Sequence, residues 1–75
     1  MPKKLNITGK MAYIPLSGGF WGILGENGER FRPVNDLPDD YRLEGLPVRV
    51  SATEHHGLSI FMWGTQIKIH HIEPA

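Results

Sequence analysis

Nowhere does this chain sustain a long helical period. Its apolar residues fall instead in short alternating runs, and 9 glycines and 6 prolines spread along 75 residues cut each run short. Strict alternation is the signature of a strand with one buried face, because successive side chains leave opposite sides of the extended backbone. A chain of this length has room for one domain and one compact core, so residues 1–75 are read as a single unit.

The runs can be placed one by one. Leu5, Ile7, Met11 and Tyr13 alternate with Gly9 at the silent position, which predicts a long first strand that coils sharply at the glycine. Gly19 to Leu24 predicts a second strand, and Asn27-Gly28 a hairpin back into a third, Arg30 to Val34, whose Pro33 suggests an edge or a bulge. Asp36, Pro38, Asp39 and Asp40 carry helix-start chemistry and Gly45 a stop signal. They predict a short helix or 3₁₀ piece with Leu37, Tyr41 and Leu43 facing inward. Leu46 to Glu54 alternates with Val48, Val50 and Ala52 inward. The last strand is expected from Leu58 to about Ile72, kinked at Gly64, with Ile67 and Ile69 as its core pair and a frayed Glu73-Pro74-Ala75.

Five strands with a short helix between the third and fourth predict an all-β, five-stranded antiparallel barrel of the oligonucleotide/oligosaccharide-binding (OB) type. Closure of the barrel removes the exposed edges that invite aggregation. An SH3-like barrel has similar strand content but usually lacks the inserted helix.

Within that frame the stretch Ser17–Gly28, SGGFWGILGENG, sets Phe20 beside Trp21 among five glycines. Adjacent strand residues face opposite ways, so only one ring belongs inside. Trp21 groups with Ile23 as the inward pair, and Phe20 lies outside beside Gly22. An outer aromatic flanked by cations can stack on a base or a sugar. Lys10, Phe20, Arg30, Phe31 and Arg32 are therefore the candidate ligand-binding residues. Alternation puts Arg30 and Arg32 on one side of the third strand and Phe31 on the other, so either the arginines or Phe31 joins Phe20.

Other chemistry is sparse. The chain has no cysteine, which removes disulfides, thiolate metal sites and cysteine nucleophiles and suits a reducing compartment. No cofactor or metal is expected. The pairs His55-His56 and His70-His71 supply imidazoles, but neighbours on a strand diverge, so each pair offers one nitrogen to a shared site. Trp63-Gly64 is read as structural, with Trp63 or Met62 plugging one barrel end. The serines lie in no nucleophile motif and the glycines in no phosphate loop before a helix, so no enzymatic activity is expected. The basic N-terminal stretch MPKKLNITGK lacks the apolar segment of a signal peptide, and no run is long enough to span a membrane. A cytoplasmic location is expected. Eight basic residues balance eight acidic ones, which argues against strong non-specific binding to nucleic acid.

The outline GGFWGILGENGERFRPVNDLP, EGLPVRVSA and MWGTQIKIHHI resembles that of small, largely uncharacterised prokaryotic OB-like domains from Gly9 to Ile72. It implies the fold and no particular activity. A second resemblance is to cold-shock domains: Gly9-Lys10-Met11-Ala12-Tyr13 and Gly19-Phe20-Trp21-Gly22-Ile23 look like that family's first two strand motifs. It implies that Phe20, with Phe31 in the next motif, stacks single-stranded bases. Gly18 stands where that family has lysine, and Arg30-Phe31-Arg32-Pro33 replaces its third motif. The expectation is a non-catalytic binding or interaction module, its partner a protein or a single-stranded nucleic acid. Single-stranded nucleic-acid binding in the cold-shock manner and histidine-dependent metal binding are the alternatives.

Overall fold

Strand β1 (Lys4–Ile14) serves two neighbours, and Gly9 is where it passes from one to the other. Its first half pairs antiparallel with β4 (Pro47–Glu54), from Lys4 opposite Thr53 to Lys10 opposite Pro47. Its second half pairs with β2 (Phe20–Gly25), from Gly9 opposite Gly25 to Ile14 opposite Phe20. A Cβ at Gly9 would collide with the Leu24 carbonyl of β2, so only glycine permits so tight a crossing. The computed structural model describes residues 3–16, 18–35, 37–56 and 63–75.

β2 returns through the Asn27-Gly28 hairpin to β3 (Arg30–Pro33), and β5 (Thr65–Pro74) closes the circuit. The order is β1-β2-β3-β5-β4, a closed five-stranded barrel with the connectivity of the OB type. Four of its pairings are antiparallel, and the closure of β3 onto β5 is parallel, which corrects the wholly antiparallel expectation. Pro33 is thus no free edge. It sits opposite Ile67, and the Val34 N–H donates to the Ile67 carbonyl at 2.8 Å, one residue after the proline that cannot donate. Backbone pairing stops there, and a side chain continues it. Asn35 Nδ2 donates to the Ile69 carbonyl at 2.9 Å, while its Oδ1 accepts the Ile69 N–H at 3.0 Å.

The barrel is filled by one cluster: Ile7, Met11, Ile23, Phe31, Leu37, Val48, Val50, Ala52 and Ile67. Met11, Ile23, Val48 and Ile67 are sealed from solvent, each worth roughly 1.5–3 kcal/mol of burial. Trp21 and Ile69 pack against this cluster half-buried. The alternation of β1, β2 and β4 thus reads through directly into the core.

Between β3 and β4 the expected short helix or 3₁₀ piece takes its smaller form, a single 3₁₀ turn, Asp39–Tyr41. Downstream, the Gly45 N–H donates to the Met11 carbonyl and the Leu46 carbonyl accepts from Met11 N–H, so this segment joins β1 and cannot coil. Asp36 lies outside the described residues. Leu37 is buried and Tyr41 half-buried with its hydroxyl donating to the Ile72 carbonyl at 3.2 Å, but Leu43 points to solvent. At the other end, Glu73 and Pro74 do not fray: they pair with Arg49 and Val48, and the Ala75 N–H donates to the Pro47 carbonyl. β5 begins at Thr65, with Gly64 just ahead of it; the expected start at Leu58 lies outside the described residues.

Candidate functional site

On the outer side of β1, β2 and β3, alternation stacks residues into rows. Lys10, Leu24 and Arg30 form one row, since Leu24 sits opposite both Lys10 and Arg30. Ala12 faces Gly22 in the next row, and Ile14 faces Phe20 in the third. At the centre, Gly22 leaves the space of a side chain, and the indole of Trp63 occupies it. A Cβ on Gly22 would come within 2.5 Å of Trp63 Cη2. Trp63 lies in the segment before β5, next to Gly64, where an added Cβ would come within 2.9 Å of the Arg30 carbonyl. It therefore covers the outer sheet face and does not plug a barrel end. Met62 lies outside the described residues.

Around this indole the aromatic contacts interlock. Phe20 meets Trp63 edge-to-face, ring centroids 5.4 Å apart at 69°. The Arg32 guanidinium carbon lies 5.4 Å from the Phe20 centroid, a cation–π arrangement. On the inner side, Trp21 meets Tyr13, its cross-strand partner, edge-to-face at 5.5 Å and 68°. The Tyr13 N–H donates to Glu44 Oε1 at 3.1 Å. Phe20 and Arg32 are half-buried, and Lys10 and Arg30 are exposed.

Four of the five residues singled out from the sequence, Lys10, Phe20, Arg30 and Arg32, thus share one face. The fifth is corrected. Phe31 is 5% exposed and belongs to the core, because the residue between two outward arginines on a strand must point inward. Trp63 is the residue that alternation missed. The only signal for it was a mid-strand glycine between aromatic and aliphatic neighbours, which marks a vacancy without naming its occupant.

Where the start of β2 meets the end of β3, this face ends in a cleft of about 210 Å³, lined by Phe20, Trp21, Arg32, Pro33, Leu37 and Arg42, with Asn35 in its wall. A second, polar cavity of about 270 Å³ lies beside the β2–β3 hairpin, where Asn6, Thr8, Glu26, Asn27 and Glu29 gather. Its side chains are partly committed to one another, Asn27 Nδ2 donating to Glu29 Oε1 at 2.7 Å.

The histidines are dispersed. His56 Nε2 is 3.3 Å from Glu54 Oε1, His71 Nε2 is 3.8 Å from Glu73 Oε1, and His70 Nε2 is 3.0 Å from Thr53 Oγ1 on the exposed face of β4 and β5. Among the described residues no three histidine or carboxylate side chains come together as a metal site. No family model, curated protein or solved structure matches the chain.

Proposed function

We propose that this chain is a non-catalytic binding module whose ligand face is the outer side of β1, β2 and β3. The observation that carries the reading is the seating of Trp63 on Gly22, with Phe20 against its ring and Arg32 over Phe20. A sheet surface that recruits an indole from a distant loop and rims it with Lys10, Arg30 and Arg32 concentrates the side chains that dominate recognition hot spots. Among the described residues no helix is long and apolar enough to cross a membrane. The reading places the module in the cytoplasm with a soluble partner.

The test is capture of partners from native lysate by the wild-type chain and by Phe20→Ala. Phe20 is half-buried and outside the core, so the variant keeps its melting temperature within a few degrees and loses the partner. A partner retained equally by Phe20→Ala removes this face from the interaction.

A second reading, single-stranded nucleic-acid binding, is favoured by the alignment of three cations with two rings on one surface, the combination that tracks a backbone and stacks its bases. The resemblance to cold-shock domains points the same way. Short oligonucleotides then quench tryptophan fluorescence, and the binding weakens steeply as salt is raised. An unchanged signal at low salt eliminates it.

A further inference from the structure

We propose that two copies of this chain pair through the hairpin side of β1, the two strands running antiparallel about Leu5. The ligand face on β1, β2 and β3 takes no part, so this surface is additional to it. In an extended strand the N–H and C=O of one residue point to one edge and those of the next residue to the other. The Lys3 carbonyl accepts the Glu54 N–H, and Met11 bonds Gly45 and Leu46, so odd-numbered residues of β1 aim at the β4 side. Even-numbered ones aim at the β2 side, as the 3.0 Å bond from the Glu26 N–H to the Thr8 carbonyl shows. Pairing with β4 runs back to Lys4, but pairing with β2 begins only at Gly9. Lys4 and Asn6 thus present their backbone groups on a side where, among the described residues, no strand meets them. Such an edge is a template for another strand.

The charges along this edge favour a second copy as the occupant. Lys4 stands at one end, exposed and in no ion pair among the described residues. At the other end Glu26 and Glu29 line the polar cavity together with Asn6 and Thr8, and among the described residues no cation lines it. An edge that is positive at one end and negative at the other is complementary to itself when reversed. The hairpin sets the register. Because Glu26 already occupies the Thr8 carbonyl, the added strand reaches only Lys4 and Asn6. Lys4 of each copy then lies opposite Asn6 of the other and exchanges both backbone bonds with it. Its ammonium, on a flexible stem, reaches the cavity of the other copy and meets Glu26 and Glu29 there. The Leu5 side chains face each other across the axis at a non-hydrogen-bonded position, where cross-strand side chains approach most closely. Leu5 is half-buried against the core, so this contact covers apolar surface that the edge leaves exposed. An interface this short belongs to the weak, reversible class.

Analytical ultracentrifugation of the intact chain at low salt, up to about 1 mM, is the direct test. A monomer–dimer equilibrium is expected, weakening as salt is raised. Over the same concentrations the amide signals of Lys4 and Asn6 shift, and those of Gly22 and Ile23 stay in place. Lys4→Glu turns both ion pairs into repulsions and weakens association about tenfold or more. Glu26→Lys/Glu29→Lys does the same. Lys4, Glu26 and Glu29 are all exposed, so both variants keep the fold, as circular dichroism checks. Mixed in equal amounts, the two variants associate again, because each offers the other the opposite charge at both contacts. The dimer is overturned if the chain is a monomer throughout, if either variant associates like the wild type, or if the mixture fails to associate. A monomeric chain that loses a lysate partner on Lys4→Glu assigns this edge to a foreign strand instead.

Discussion

Gly9 and Gly22 both sit in the middle of strands, and neither has room for a methyl group, yet the obstacles differ in kind. At Gly9 the obstacle is the backbone of β2, the Leu24 carbonyl and the Gly25 Cα. At Gly22 it is the outer edge of one indole ring, Trp63, with the Ile14 side chain behind it. The first glycine is required for the barrel to exist. The second holds a place for a residue that the barrel can do without. The inner and outer sides of the same strand pair are therefore specified by different parts of the chain. The inside is set by backbone crossings and alternation, and the outside by a side chain delivered from the segment ahead of β5.

The sharpest way to break that comparison is Gly9→Ala. A Cβ there cannot be relieved by a rotamer change, since the atoms it meets belong to main chain on which both halves of β1 depend. A cost of roughly 3 kcal/mol or more is expected, against a total of ~5 kcal/mol for a domain this small. Urea denaturation followed by far-ultraviolet circular dichroism checks it. A wild-type midpoint in Gly9→Ala would show that β1 can uncoil without penalty.

Asn35 probes the boundary between the two categories, being a side chain that does the work of a strand. Backbone pairing between β3 and β5 covers three register positions, and the amide adds a donor and an acceptor beyond them. Asn35→Ala should cost about 1–2 kcal/mol, the sum of two modest net hydrogen bonds. Asn35→Asp keeps the acceptor for the Ile69 N–H but sets an anionic oxygen against the Ile69 carbonyl, so it should be no more stable than the alanine variant. If aspartate restores wild-type stability, only the Oδ1 contact matters and the seam closes without the donor.

How much of this was legible beforehand follows the same division. The inward positions of Ile7, Met11, Ile23, Val48, Val50, Ala52 and Ile67 follow from alternation, because a strand has two faces and a small barrel has one core. The hairpin at Asn27-Gly28 and the crossing at Gly9 carry their own local signals. The helical piece stops at one 3₁₀ turn although Asp39, Asp40 and Gly45 favour a longer one, because Met11 of β1 takes the hydrogen bonds of Gly45 and Leu46. No local signal encodes that bond. The tail was misread for the same reason: Glu73 and Pro74 look frayed in isolation and are held by Arg49 and Val48. Of the candidate site, the choice between Phe31 and the arginines was posed correctly by the sequence and settled by the core. Trp63 was out of reach, because alternation does not apply to a residue outside a strand.

Gly22→Ala is the smallest perturbation and the most informative. The new methyl meets Trp63 Cη2 at 2.5 Å and Cζ3 at 2.6 Å, and both atoms are at the far end of a side chain that can swing aside. The core residue beside it, Ile23, is untouched, so the stability loss should stay near 1 kcal/mol or below. The change appears at the rim instead. The Trp63 indole N–H moves toward its solvent-exposed shift, the edge contact with Phe20 opens, and Trp21 holds its position against Tyr13. Partner binding should then drop nearly as far as in Phe20→Ala, since the same cluster is dispersed from its other side. A variant in which Trp63 is displaced and binding is unaffected would reduce the indole to a cover over bare sheet and leave Phe20 and the cations to carry the interaction. Collapse of the fold in Gly22→Ala would erase the distinction between the two glycines, because the outer indole would then be as integral to the barrel as the Leu24 carbonyl.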